Sequence, residues 1–235
     1  MSKIIVALDF PSADKALAMA DMVGKDAIYK VGMELFNAEG PKMVEALTNR
    51  GYSVFLDLKF HDIPNTVAGA AKSAVRTGCF MFNVHALGGK RMMKAAVDAA
   101  KEEAQALNKP VPKVIAVTIL TSMGEDELQS ELSVTMPLKD YVVKLASAAK
   151  EAGLDGVVAS PHEITAIREA CGDDFLIVTP GVRPAWSAVN DQKRIMTPKA
   201  AVSAGADYVV IGRPITAHQE PAQAFQLVIQ ETEGN

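Results

Sequence analysis

The sequence has few cysteines and no long apolar run. Its two cysteines, Cys79 and Cys171, are far apart and lack the paired spacing of zinc or redox motifs. No apolar stretch approaches the roughly 18 residues that a membrane span needs. The N-terminus, MSKIIVALDF, has no signal-peptide core with a small-residue cleavage site. We therefore expect a soluble cytoplasmic protein with reduced, buried thiols and no membrane contact.

Basic residues are also fewer than acidic ones. The chain has 24 Lys and Arg against 28 Asp and Glu, a formal net charge of -4, which argues against a nucleic-acid-binding surface. A local basic pocket for one phosphate is compatible with this balance. The 16 glycines and 12 prolines are scattered, so no stretch has the composition of a linker. We expect residues 1–235 to form a single domain.

Short apolar runs rich in β-branched residues alternate with amphipathic stretches that end at glycine. This alternation is typical of βα units, and the sequence contains eight of them, the strand number of a closed (β/α)₈ TIM barrel. An open, doubly wound sheet is the alternative, but no G-x-G-x-x-G follows the first strand. The predicted strands cover residues 4–9, 27–33, 53–59, 80–85, 113–120, 155–160, 175–180 and 208–212.

Polar side chains stand at the ends of these predicted strands, where a barrel of this kind has its active site. Asp9 ends the first strand and Lys30 lies in the second. The third runs into DLKFHDIPNT, in which Asp57 and Lys59 share one face of the strand and Asp62 follows. Two carboxylates around one ammonium are costly in a partly closed pocket unless they are paired. The spacing alone fits a salt-bridged barrel rim as well as a catalytic array.

Two later segments have the residues that a phosphate group needs. Gly212 lets the backbone approach an anion and Arg213 offers a forked donor. The loops after the seventh and eighth strands form the recurrent phosphate site of such barrels. The long polar connection 181–196, with Arg183 and Gln192, predicts a lid that grips phosphate, and an ordinary variable loop is the alternative.

These motifs together resemble the orotidine 5′-phosphate decarboxylase family over nearly the whole chain. A lone D-x-K-x-x-D would be weak, because related phosphosugar enzymes also carry it, whereas the complete run in register with the phosphate motifs is specific. The resemblance rests on ALD with Asp9, YKVGMELF with Lys30, DLKFHDIPNT, NVHALGG, VTILTSM with Thr121, TPGVRP with Arg183, Gln192, and IGRPI with Gly212 and Arg213.

The resemblance implies a decarboxylase of de novo pyrimidine biosynthesis that converts orotidine 5′-phosphate to UMP and CO₂ without metal or cofactor. Lys59 would protonate C6 of the pyrimidine and would be held in a charge array by Asp57 and Asp62. The resemblance also implies that Asp62 and Thr66 reach into the neighbouring subunit's site. The protein would then be a homodimer with shared active sites.

Further substrate contacts are implied by the same resemblance. Asp9 and Lys30 would contact the ribose hydroxyls, and Thr121 would lie near the pyrimidine. Ile63 and Pro180 would also contact the substrate. The phosphate end would be held by Arg183, Gln192, Gly212 and Arg213.

Two rival functions share parts of this pattern. The nearer rival is a Mg²⁺-dependent enzyme of the same superfamily that acts on a ketosugar phosphate, a decarboxylase or a synthase. Lys30 speaks against it, since metal-using relatives are expected to place an acidic ligand near that position. A non-catalytic phosphate-binding barrel would keep Gly212 and Arg213 but has little reason to surround Lys59 with carboxylates.

The four histidines have no partners at metal-ligand spacing. We expect His61 and His85 to be structural or to support other site residues. His162 and His218 are interpreted as an ordinary helix-start residue and an ordinary surface residue. The sequence therefore predicts no metal site.

Overall fold

Eight short strands pair in parallel and close into a barrel, each beside its neighbour in the sequence. The computed structural model describes residues 3–187 and 196–233. The strands are β1 (Ile4–Ala7), β2 (Ile28–Gly32), β3 (Ser53–Phe60), β4 (Met81–His85), β5 (Lys113–Val117), β6 (Gly156–Val158), β7 (Leu176–Thr179) and β8 (Tyr208–Ile211). The predicted (β/α)₈ barrel and its eight strands are confirmed.

Six of the strands end one to three residues earlier than predicted. Pro180 shows one physical reason, because it has no N–H to donate and cannot continue the ladder of β7. The polar residues that follow the strands therefore lie in the connections at the barrel rim.

Helices follow the strands and pack on the outside of the barrel. In chain order they are α1 (Ala13–Val23), α2 (Met33–Glu39), α3 (Pro41–Asn49), α4 (Pro64–Arg76), α5 (Gly89–Ala106), α6 (Glu125–Ser130), α7 (Leu138–Glu151), α8 (Ile164–Cys171), α9 (Pro198–Ser203), α10 (Arg213–Thr216) and α11 (Pro221–Glu233). Each strand-to-helix connection opens at the carboxyl end of the barrel, so the site residues of different strands meet there.

Side chains along each strand alternate between the barrel interior and the helix layer. Ile28 and Phe55 belong to the apolar cluster inside the barrel. Their neighbours Tyr29 and Leu56 belong to the larger cluster beneath the helices. Full burial of one such side chain contributes about 1.5–3 kcal/mol, so these two layers stabilise the barrel. Two residues further along β2 and β3 the inward face becomes charged, and this change marks the site.

The two cysteines are free and buried, as the sequence predicts. Burial raises the pKa of the Cys79 thiol to about 12. Among the described residues, no helix combines the length and apolar character that crossing a membrane requires.

Candidate active site

Four inward-facing side chains of alternating charge form a row across β1, β2 and β3, which we call the charge row: Asp9, Lys30, Asp57 and Lys59. Lys30 Nζ lies 3.0 Å from Asp9 Oδ1 and 3.5 Å from Asp57 Oδ2. Lys59 Nζ donates to Asp57 Oδ1 at 2.7 Å. The structure thus brings together four residues that the sequence singled out separately.

Asp57 is the most enclosed carboxylate of the charge row, with a side chain only 13% exposed. Burial alone would raise its pKa. The charges of Lys30 and Lys59 oppose this effect, as do the hydrogen bonds from Lys59 and Asn83, and together they hold the pKa of Asp57 below its usual value. Asp57 is therefore a carboxylate with a fixed direction and a fixed negative charge near neutral pH.

Gly32 leaves room for the Lys30 ammonium. A Cβ atom at this position would lie 2.9 Å from Lys30 Nζ and 3.5 Å from Asp9 Oδ1. The ammonium thus occupies the space between the carboxylates of Asp9 and Asp57. Within residues 3–187 and 196–233, no three His, Cys, Asp or Glu side chains are grouped as metal ligands.

Lys59 has an unusual backbone conformation, with φ at 53°. This left-handed conformation costs a non-glycine residue about 1–2 kcal/mol. The pairing of β3 with β4 is irregular at the same place: Leu56 lies opposite Phe82, and Phe60 lies opposite Val84. An advance of four residues along β3 therefore matches an advance of two residues along β4. This β-bulge sets the direction of the Lys59 side chain.

Asn83 on β4 links the bulge to the charge row. Its Oδ1 accepts a hydrogen bond from the Lys59 backbone N–H at 2.8 Å, and its Nδ2 donates to Asp57 Oδ1 at 2.7 Å. The residue is fully buried. Asn83 was not among the predicted site residues, although a lone amide inside the apolar strand MFNVH is a signal of a polar role.

His85 and His61 stack beside Lys59, with ring centroids 5.3 Å apart and ring planes at 20°. Burial is the main cause that lowers the pKa of His85, and electrostatic interaction with the nearby His61 and Lys59 lowers it further, to about 4. The His85 ring is therefore neutral near pH 7. Its Nδ1 accepts a hydrogen bond from the Leu87 backbone N–H at 3.3 Å. These contacts fit the supporting role that the sequence predicts.

A cavity of about 820 Å³ extends from the charge row to the connections after β7 and β8. The predicted substrate-contacting residues that line it are Asp9, Lys30, Pro180, Arg183, Gly212 and Arg213. The cavity thus joins Asp9 and Lys30 of the charge row to an end with two arginines. Gln192 was predicted at the second end and lies outside the described residues.

Trp186 and His218 also line this cavity, although neither was expected there. Their rings meet edge to face, with centroids 5.7 Å apart. His218 is partly exposed, as a surface residue is, but its place in the cavity lining was not predicted. No local pattern predicts this contact, because the two residues belong to different connections that only the closed barrel brings together.

Asp57 and Lys59 of the charge row are not among the residues that line this cavity. Four further predicted site residues do not line it either: Asp62, Ile63, Thr66 and Thr121. All four are exposed. Asp62 Oδ1 accepts a hydrogen bond from the Ile63 backbone N–H at 2.6 Å. In the part of the chain that the structure describes, the ion pair of Lys59 is with Asp57 and not with Asp62.

The barrel and the charge row at its carboxyl end define a (β/α)₈-barrel enzyme. A family model described as "Orotidine 5'-phosphate decarboxylase / HUMPS family" matches residues 2–228. The chain belongs to this family.

Relatives and solved structures agree with this assignment over almost the full chain. Curated proteins named orotidine 5′-phosphate decarboxylase from Moorella thermoacetica and Syntrophomonas wolfei are each 54% identical, over 98% of this chain and 92% and 98% of their own length. A crystal structure of orotidine 5′-phosphate decarboxylase from Lactobacillus acidophilus has a TM-score of 0.89 and 41% identity, and 99% of each chain is covered.

Proposed function

We propose that this enzyme decarboxylates orotidine 5′-phosphate to UMP and CO₂ in de novo pyrimidine biosynthesis, without a metal or an organic cofactor. The observation that carries the proposal is the charge row, in which Asp57, largely buried, holds Lys59 and in which Asp9 and Lys30 line a cavity that reaches two arginines. The name shared by relatives at 54% identity supports the substrate.

Lys59 is the proposed general acid. When the C6–carboxylate bond breaks, CO₂ leaves and the electron pair stays on C6 in an orbital that the ring delocalises poorly. The ammonium of Lys59 stabilises this charge, then transfers a proton to C6 and is reprotonated from solvent. Asp57 orients the ammonium through the 2.7 Å hydrogen bond.

Asp57 is also proposed to lie near the departing carboxylate. Two like charges about 4 Å apart repel by roughly 4 kcal/mol at an effective dielectric of about 20, and this repulsion is relieved as CO₂ leaves. The largest enzymatic accelerations need on the order of 20 kcal/mol. Transition-state stabilisation by Lys59 and binding energy from the remote phosphate must therefore supply most of the effect.

The arginine end of the cavity is the proposed phosphate site. Arg183 and Arg213 would donate to the phosphate, Gly212 would admit it close to the backbone, and Gln192 would join them from the lid segment 181–196. Asp9 and Lys30 would contact the ribose hydroxyls between the two ends. The proposal also places Pro180, Ile63 and Thr121 against the substrate: Pro180 lines the cavity, and the other two would approach on closure or assembly.

Removal of the Arg213 guanidinium should impair catalysis as well as binding. We expect Arg213→Ala to lower kcat/KM for orotidine 5′-phosphate about 10- to 100-fold, because one charged hydrogen-bonding group contributes about 1.5–3 kcal/mol. The same change should barely affect kcat/KM for orotidine, which has no phosphate. Steady-state kinetics with both substrates measure this difference, and Arg50→Ala, which removes an ion pair with Asp21, is the control. Equal turnover of the two substrates by the wild type would contradict the phosphate role.

We further propose a homodimer in which Asp62 and Thr66 complete the neighbouring subunit's site. The exposure of both residues supports this arrangement, as does Ile63, an apolar side chain that is 67% exposed in the single chain. Asp62 would then extend the alternation of charges beyond Lys59. We also propose that the protein is cytoplasmic, as the N-terminal sequence predicts.

The function is tested by following the absorbance of orotidine 5′-phosphate during incubation with the protein. We expect turnover without added metal and no loss of activity with EDTA, because the Lys30 ammonium already occupies the position between Asp9 and Asp57. Activity that disappears with EDTA and returns with Mg²⁺ would favour the ketosugar-phosphate alternative. No turnover under either condition would contradict the decarboxylase.

A further inference from the structure

We propose that Asn83 is a positioning residue for the decarboxylation, an inference that rests on the proposed function. Its single buried amide holds the Asp57 carboxylate and the Lys59 backbone at once. Asn83 would thus set where the proton donor lies relative to the carboxylate that faces the substrate's leaving group, without touching the substrate itself.

The hydrogen bonds determine which way the amide faces. The Lys59 N–H needs an acceptor and the Asp57 carboxylate needs a donor, and an asparagine offers one of each on opposite sides. The reversed amide would place oxygen against carboxylate and N–H against N–H. Asp57 Oδ1 accepts from both Asn83 Nδ2 and Lys59 Nζ, each at 2.7 Å, while Oδ2 faces Lys30 at 3.5 Å. The carboxylate therefore has little freedom to rotate.

The bulge in β3 gives Asn83 its second effect. At the irregular pairing between Leu56 and Phe60, the Lys59 N–H binds the side chain of Asn83. The left-handed backbone of Lys59 is costly and persists only where its surroundings favour it. Without the Asn83 oxygen, the backbone can relax toward an extended conformation, which redirects the lysine side chain.

An apolar replacement of similar size tests this role. We expect Asn83→Leu to lower kcat on the order of 100-fold, since small displacements of catalytic groups have effects of that size. KM for orotidine 5′-phosphate and Kd for UMP should change less than about threefold, because the proposed phosphate contacts are untouched. Thr118→Val is the matched control: Thr118 is also fully buried, and its side chain donates a hydrogen bond to the Val158 carbonyl oxygen rather than to a residue of the charge row.

Asn83→Asp provides a second test, the pH dependence of kcat, which would not change if Asn83 had only a structural role. A carboxylate at this position accepts from the Lys59 N–H but repels Asp57, whereas its protonated form donates as the amide does. The ratio of variant kcat to wild-type kcat should therefore rise as the pH falls from about 8 to about 5. The other ionisable groups around the position are Lys30, Lys59, His85 and His61; His85, with its pKa of about 4, stays neutral in this range.

The outcomes separate this inference from the proposed function. If the wild type is active and Asn83→Leu keeps kcat within about threefold of Thr118→Val, the positioning role is overturned and the decarboxylase proposal stands. A pH-independent ratio for Asn83→Asp overturns it as well, and this test remains should the leucine variant fail to fold. A wild type inactive on orotidine 5′-phosphate overturns the proposed function and the positioning role with it.

Discussion

Lys59→Ala is expected to lose nearly all turnover of orotidine 5′-phosphate, with kcat falling on the order of 10⁵-fold while UMP still binds. The lysine supplies two effects at once: general-acid catalysis contributes roughly 10²- to 10⁴-fold, and stabilisation of developing charge by one group contributes about 10²- to 10³-fold. UMP binding should persist because the two arginines of the cavity, which are proposed to hold the phosphate, are unchanged. Single-turnover kinetics and UMP titration measure the two quantities.

Lys59→Arg separates the two effects of the lysine. A guanidinium keeps the positive charge but does not give up its proton, so this variant should remain strongly impaired. The exposed Lys42, on α3, gives the control Lys42→Ala, which should match the wild type. Near-native turnover by Lys59→Ala would show that another group is the acid.

Mixing Lys59→Ala protein with Asp62→Ala protein is expected to restore activity that neither variant has alone. If the proposed dimer shares its sites, one site of a mixed dimer combines the intact Lys59 of one chain with the intact Asp62 of the other. Random exchange at equal amounts makes half of the dimers mixed, and half of their sites are intact. Activity should therefore return to about a quarter of the wild-type value.

Subunit exchange must be demonstrated independently in this experiment. Chains that carry two different tags allow mixed dimers to be isolated, and the isolated dimers should have about half of the wild-type activity per dimer. Mixing either variant with itself is the control and should restore nothing. If Asp62 serves its own chain, every site has one defect and mixed dimers stay inactive. That result would contradict the proposal that the two subunits share their sites, and it would leave the decarboxylase proposal intact.

Most of the fold could be predicted from the sequence because each βα unit has a local signature. The alternation of apolar runs with glycine-ended helical stretches predicted the eight strands and the polar residues at their ends, and the resemblance assigned roles to those residues. The juxtaposition of Asp9, Lys30 and Asp57 followed from the barrel itself, since the carboxyl ends of neighbouring parallel strands lie side by side.

The remaining features depend on relations between segments that local patterns do not contain. The left-handed backbone of Lys59 arises from the pairing of β3 with β4, and Asn83 gains its partners through the same pairing. The contact of Trp186 with His218 requires the connections after β7 and β8 to be adjacent. The surroundings of Asp62 lie beyond the single chain in the proposed dimer, so that prediction stays untested.

The bulge in β3 makes the number of residues in this strand part of the site's chemistry. Deleting Leu58 would let β3 and β4 pair more evenly, and the lysine that follows would turn to the opposite face of the sheet. The ammonium would then point into the helix layer even though a lysine was still encoded. A substitution at position 59 changes the chemical group of the side chain. An insertion or deletion in β3 changes the direction in which that side chain points. Variation in length is better accommodated in surface connections away from the site than in this strand.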